Sequence, residues 1–114
     1  MIDGLIGGKL YGKATQRTGA SGKPFYTCKV RTPTAAGDAL FVNVITFAES
    51  VGAQLLALED GDSVCLSGAL TPKIWTDGKG EPRVVLDLVA HAAISAYNVT
   101  RKRQTVREAE DNRL

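Results

Sequence analysis

The sequence is poor in the residues on which most enzyme chemistry depends. In 114 residues it holds one histidine, two cysteines, one methionine and one tryptophan. Cys28 and Cys65 do not form a Cys-x-x-Cys pair, and His91 cannot join them at a zinc-site spacing. Both thiols are expected to be reduced strand residues, and no metal or other cofactor is expected. Phosphate-binding loops, GxGxxG and HExxH patterns are lacking, and no serine stands in the sequence context of a nucleophile. His91 falls in an apolar run, where packing is its expected role. Asp77 and Glu81 fall in turn-forming sequence. An enzyme is therefore not expected. No apolar run approaches the roughly 18 residues of a membrane span. The opening MIDGLIGGKLYGK has no basic segment leading into a long apolar one. The expectation is a cytoplasmic protein with no membrane partner.

Hydrophobic residues make up 44% of the chain, enough for one globular domain with a single core. The net charge of +2 names no partner, but its distribution is uneven. Lys9, Lys13, Arg17, Lys23, Lys29 and Arg31 follow one another without an acid between them. From Asp38 to Asp62 there are five acids and no base. Such a split can give the fold one basic and one acidic face.

Periodicity supplies the elements. GLIGGKLYGKA reads as a glycine-rich, bent strand, and TQRTGASGK as a turn or loop. PFYTCKVRT and ALFVNVITF alternate as half-buried strands. In AESVGAQLLALEDGD, Val51, Leu55 and Leu58 take helical spacing, and Gly61 stands where a helix C-terminal cap belongs. SVCLSGALTPKIW returns to period two, TDGKGE is a turn, and PRVVLDLVAHAAISAY is a long apolar strand. Three strands, a short helix and two strands make an all-β plan. It is that of the OB-fold, a five-stranded Greek-key barrel with its helix between the third and fourth strands. An open antiparallel sandwich is the rival. The domain is expected over residues 1–97, with 98–114 as a polar, mobile tail.

The faces opposite the core carry the functional signal. On the second strand they show Phe25, Lys29 and Arg31; on the third, Phe41, Asn43, Ile45 and Phe47; on the fourth, Thr71, Lys73 and Trp75. Aromatic rings interleaved with cations suit unpaired bases, which stack on rings while Lys and Arg meet phosphates. Trp75 stands at the mouth of the turn, with Lys73, Lys79 and Arg83 about it. The expected nucleic-acid-binding set is Lys9, Lys13, Arg17, Lys23, Lys29, Arg31, Phe41, Asn43, Phe47, Lys73, Trp75, Lys79 and Arg83. The plainer alternative makes Phe41 and Phe47 core residues and Trp75 a barrel cap.

Three segments resemble bacterial and phage-type single-stranded DNA-binding proteins. DSVCLSGALTPKIWTDGKGEPRVVLDLVA is similar to their fourth and fifth strands with the Lys/Arg-Trp-Thr-Asp turn. FVNVITFAESVGAQLLALEDGD is similar to their aromatic third strand and helix, and GKLYGKATQRTGASGKPFYTCKV to their first two strands. The likeness spans about residues 4 to 97. It implies base stacking on Phe41, Phe47 and Trp75 and a phosphate contact from Lys73. It also implies assembly through the first strand, as a homotetramer or a homodimer. Phe41 stands where tryptophan is common, and Asn43 where a basic residue is common. The loop TAAGDA lacks the family's additional aromatic. These departures imply weaker or narrower binding. The C-terminus, ending EDNRL, is a shortened form without the family's acidic, Phe-tipped peptide, as in phage, plasmid or accessory versions. The expected function is non-catalytic binding and protection of single-stranded DNA in replication, recombination or repair, in the bacterial cytoplasm or nucleoid. Replication or recombination proteins are further expected partners. The alternative is an adaptor like primosomal replication protein N, a dimeric OB-fold protein of replication restart, with the acidic stretch from Glu49 to Asp62 as its partner surface. An OB domain without nucleic acid is a third reading.

Overall fold

The computed structural model describes residues 2–95; the expected tail at 98–114 lies outside the described residues. The elements run β1 (Ile2–Thr18), β2 (Pro24–Pro33), β3 (Ala39–Thr46), α1 (Glu49–Leu56), β4 (Ser63–Thr76) and β5 (Pro82–Ser95). The strands close into a barrel in the order β1-β2-β3-β5-β4. This is the OB-fold, and closure excludes the open sandwich.

β1 makes closure possible by serving two neighbours. Its first half pairs antiparallel with β4, from Ile2 opposite Leu70 to Lys9 opposite Ser63. Its second half pairs with β2, from Lys9 opposite Arg31 to Thr18 opposite Pro24. Between Tyr11 and Thr15 the register shifts. Gly12 sits there with φ of 74°, a left-handed conformation that a side chain would resist. The Gly12 N–H donates to Asp60 Oδ1 at 2.7 Å. Leu10 N–H donates to the Asp62 carbonyl, and Gly61 N–H to the Leu10 carbonyl, both at 2.8 Å. The bend expected from glycine content is therefore stitched to the segment that follows α1. The segment TQRTGASGK is divided: Thr15–Thr18 extend β1 through cross-strand pairs with β2, and residues 19–23 form the expected turn.

The alternation in β2, β3 and β4 places one face inside. Leu10, Cys28, Val30, Val42, Val44, Val64, Leu66 and Leu88 fill the barrel. Burial raises the Cys28 thiol to about 11, so it stays a neutral, packed group. Cys65, on the other face of β4, is exposed. α1 closes one end of the barrel with Val51 and Leu55 and buries Gly52 against the Tyr26 ring. A Cβ at Gly52 would overlap that ring. Thr46 holds the entry to the helix. It is fully buried, its hydroxyl donates to the Ala90 carbonyl at 2.8 Å, and it accepts from the Ala48 N–H at 3.2 Å.

Two expectations need correction. The helix ends at Leu56 with Ala57 as its cap, so Gly61 is not the cap. Leu58 still reaches the core, but from a turn; Gly61, with φ of 88°, lets the chain reverse toward β1. His91 is exposed rather than packed: Ser67 pairs with Ala92 and Gly68 with Ala90, so His91 is the extra residue at a register shift in β5.

Candidate nucleic-acid interface

Cross-strand registers place outward side chains in rows. Tyr11 lies opposite Lys29, and Lys29 opposite Asn43. Asn43 pairs in parallel with Asp87, and Asp87 lies opposite Thr71. The next row on β1–β3 runs Lys9, Arg31, Phe41. Beyond Thr71, every residue of β4 through Thr76 is exposed, so the β4–β5 hairpin projects beyond the barrel with neither face covered. Trp75 pairs with Arg83 near its end, and the ring is 52% exposed.

An open groove of about 1050 Å³ runs between this hairpin and β3. Lys29, Phe41, Asn43, Lys73, Trp75 and Arg83 line it together with Asp38 and Asp87. A second groove of about 750 Å³ adjoins it, sharing Lys29, Asn43, Lys73 and Asp87 and adding Tyr11, Lys13 and Ile45. Phe41 and Phe47 are both exposed, so neither is a core residue. Tyr11 meets Phe41 edge-on, with centroids 5.2 Å apart. Phe47 follows β3 and tilts against Phe25 at 6.2 Å. Phe25 in turn lies opposite Arg17. Six residue steps of extended chain take Phe41 to Phe47, about 20 Å, so the rings mark two ends of one sheet face.

The other expected residues are less concentrated. Lys23 is in the exposed β1–β2 turn and Lys79 in the β4–β5 turn. Lys9 and Arg31 line a separate groove of about 700 Å³ with Gly7, Cys65 and Ile94.

Ion pairs alter the role of two cations. Lys73 Nζ pairs with Asp87 Oδ2 at 2.5 Å, and Asn43 Nδ2 donates to Asp87 Oδ1 at 3.3 Å. Hydrogen bonding from Lys73, with a smaller contribution from Asn43, holds the Asp87 carboxyl below its usual range against an opposing effect of burial. Arg83 Nε pairs with Asp77 Oδ2 at 3.0 Å. Asp77 Oδ1 also accepts the backbone N–H groups of Lys79 and Glu81. The Glu81 N–H, then Arg83 and the Lys79 N–H, hold Asp77 below the usual carboxylate range. No described carboxylate lies within ion-pair distance of Lys13 or Lys29. The acidic stretch is likewise partly occupied, since Asp60 holds Gly12 and Asp62 Oδ2 accepts the Glu59 N–H at 2.8 Å.

Tyr11 and Asp87 were not among the expected site residues. Tyr11 lies beside the bulge, where alternation gives no phase. Asp87 is the one acid in an apolar run, and that break was its only signal. Among the described residues no group of three His, Cys, Asp or Glu could hold a metal. No described helix is long and apolar enough to cross a membrane.

No protein-family model matches the sequence, and no curated protein matches it. Solved structures do. The small single-stranded DNA-binding protein from Streptomyces coelicolor has a TM-score of 0.66 at 20% identity, over 82% of this chain and 93% of that one. Rim1, a mitochondrial single-stranded DNA-binding protein from S. cerevisiae, has a TM-score of 0.62 at 16% identity, over 83% of this chain and 94% of its own. A second structure of Rim1 has a TM-score of 0.65 at 17% identity. The chain thus has the OB-fold barrel that these single-stranded DNA-binding proteins share.

Proposed function

We propose that the chain binds and protects single-stranded DNA without catalysis, in replication, recombination or repair. The observation that carries this reading is the groove itself. Exposed Trp75 and Phe41 stand on it with Lys29 of β2, on a barrel whose structural neighbours are single-stranded DNA-binding proteins. Bases stack on Trp75, Phe41 and, at the far end, Phe47, at about 1–3 kcal/mol per base. Lys29 and Lys13 meet phosphates directly. Arg17 and Lys23 extend the basic path toward Phe47, and Lys9 and Arg31 extend it around the barrel. Arg83, braced by Asp77, shapes the turn that presents Trp75.

The functional unit is a homotetramer, with a homodimer as the alternative. Residues 2–8 of β1 pair along one edge only, with β4. Ile2 and Leu5 beside that edge are exposed. A second copy can add there, hiding an edge that proteins rarely leave open.

Titration with oligo-dT, duplex DNA and oligo-U of equal length tests the reading. Tight, saturable binding of single strands and weak binding of duplex are expected. Equal affinity for duplex, or no binding at low salt, removes it. The oligo-U arm separates DNA from RNA preference.

A further inference from the structure

A groove meant for a polyanion has little use for a carboxylate in its floor, yet Asp87 lies there. Its partners are themselves groove-lining groups. Oδ2 takes the Lys73 ammonium at 2.5 Å and Oδ1 takes the Asn43 amide at 3.3 Å. Asp77 at the hairpin end differs: it accepts two backbone N–H groups and so braces a turn. Among the described residues, no backbone N–H donates to the Asp87 carboxylate. Nor is the pair sealed from solvent, for the Lys73 side chain is 63% exposed and that of Asp87 32%. An ammonium and an N–H donor converging on two oxygens of one anion are also what a phosphodiester takes.

We propose that Asp87 is a resident anion in a phosphate subsite formed by Lys73 and Asn43, and that a strand binds there by exchange, phosphate replacing carboxylate. The inference rests on the single-strand reading above. In the free protein the Lys73–Asp87 pair carries no net charge, so it adds little to electrostatic attraction. Lys29, opposite Asn43 and without an ion-pair partner among the described residues, makes the first contact. Exchange at Lys73 follows only when the neighbouring bases are seated on the rings. Asp87 therefore raises the dependence on stacking and lowers attraction to phosphate alone.

Asp87→Asn keeps the side-chain shape and frees Lys73. The variant should bind oligo-dT about tenfold more tightly near 30 mM salt and nearly equally at 1 M, with a log–log salt slope more negative by about 0.7, the increment of one phosphate contact. Lys73→Gln combined with Asp87→Asn should return the slope to that of the wild type. Asp38→Asn removes another acid lining the same groove and should give a clearly smaller gain. Asp87→Ala serves as a second variant, and melting temperatures confirm that each chain is folded. The exchange is overturned if folded Asp87 variants show no gain. It is also overturned if the gain survives loss of Lys73, or if Asp38→Asn matches it. Wild-type binding without these effects removes the exchange alone. Absence of binding by both wild type and Asp87→Asn removes the single-strand reading as well.

Discussion

Trp75 stands on a hairpin that leaves the barrel, and about half of its surface meets solvent. Its removal therefore takes little from the core. Trp75→Ala should weaken single-strand binding by about 1–3 kcal/mol while the melting temperature stays near that of the wild type. An unchanged affinity, measured by filter binding, would make the ring structural. Thr46 is its opposite, fully buried and distant from solvent. Thr46→Val leaves the Ala90 carbonyl and the Ala48 N–H without their partner. The loss should destabilise the fold by about 1–3 kcal/mol, read from denaturant unfolding, and leave the affinity of the folded fraction unchanged. Such roles were unequally legible. Period-two alternation placed Phe41 outside, because one face of β3 must meet the core. Lys73 and Trp75 are exposed for a different reason, since the hairpin there leaves both faces of β4 uncovered. Alternation could not show that Lys73 is engaged by Asp87, since that pairing depends on β3, β4 and β5 meeting in one register.

At the scale of elements, the strands that alternate cleanly were readable, and so was their order. The helix end was not. Leu58 keeps the spacing of Val51 and Leu55, yet backbone bonds between Leu10 and the 61–62 segment draw the chain out of the helix before it. No local pattern encodes a bond to a strand fifty residues earlier. The β1 bend was visible as glycine content, while the pairing of β1 with two neighbours was not. The β4–β5 turn gives a pH prediction. Asp77 has a depressed pKa in the folded protein, so its contribution is complete above the unfolded carboxylate value. That contribution is lost as pH falls through the lower folded value. The amide resonances of Lys79 and Glu81 should shift in that acidic range, while core amides such as Val30 and Leu66 hold. Retention of the turn shifts at that acidity would show that Asp77 does not organise the turn.

At the scale of the molecule, charge and assembly act together. If about four cations of one protomer meet phosphates at once, the log–log salt slope should be near −3, at about −0.7 per contact. A flat response would leave stacking alone. Light scattering after size exclusion should give about four times the 12.1 kDa chain mass, or twice it for the dimer; a monomer at micromolar concentration would end the assembly proposal. The barrel's closure also governs how fast the molecule can form. Ile2 must find Leu70, and Val42 must find Leu86 in a parallel pair, before the cylinder exists. Each of those meetings orders a long loop before any contact repays it. The chain should therefore refold in milliseconds to seconds rather than microseconds. The β2–β3 hairpin, whose partners are near in sequence, can form early. The seam between β1 and β4, whose partners are the most distant in sequence, should be the last to close.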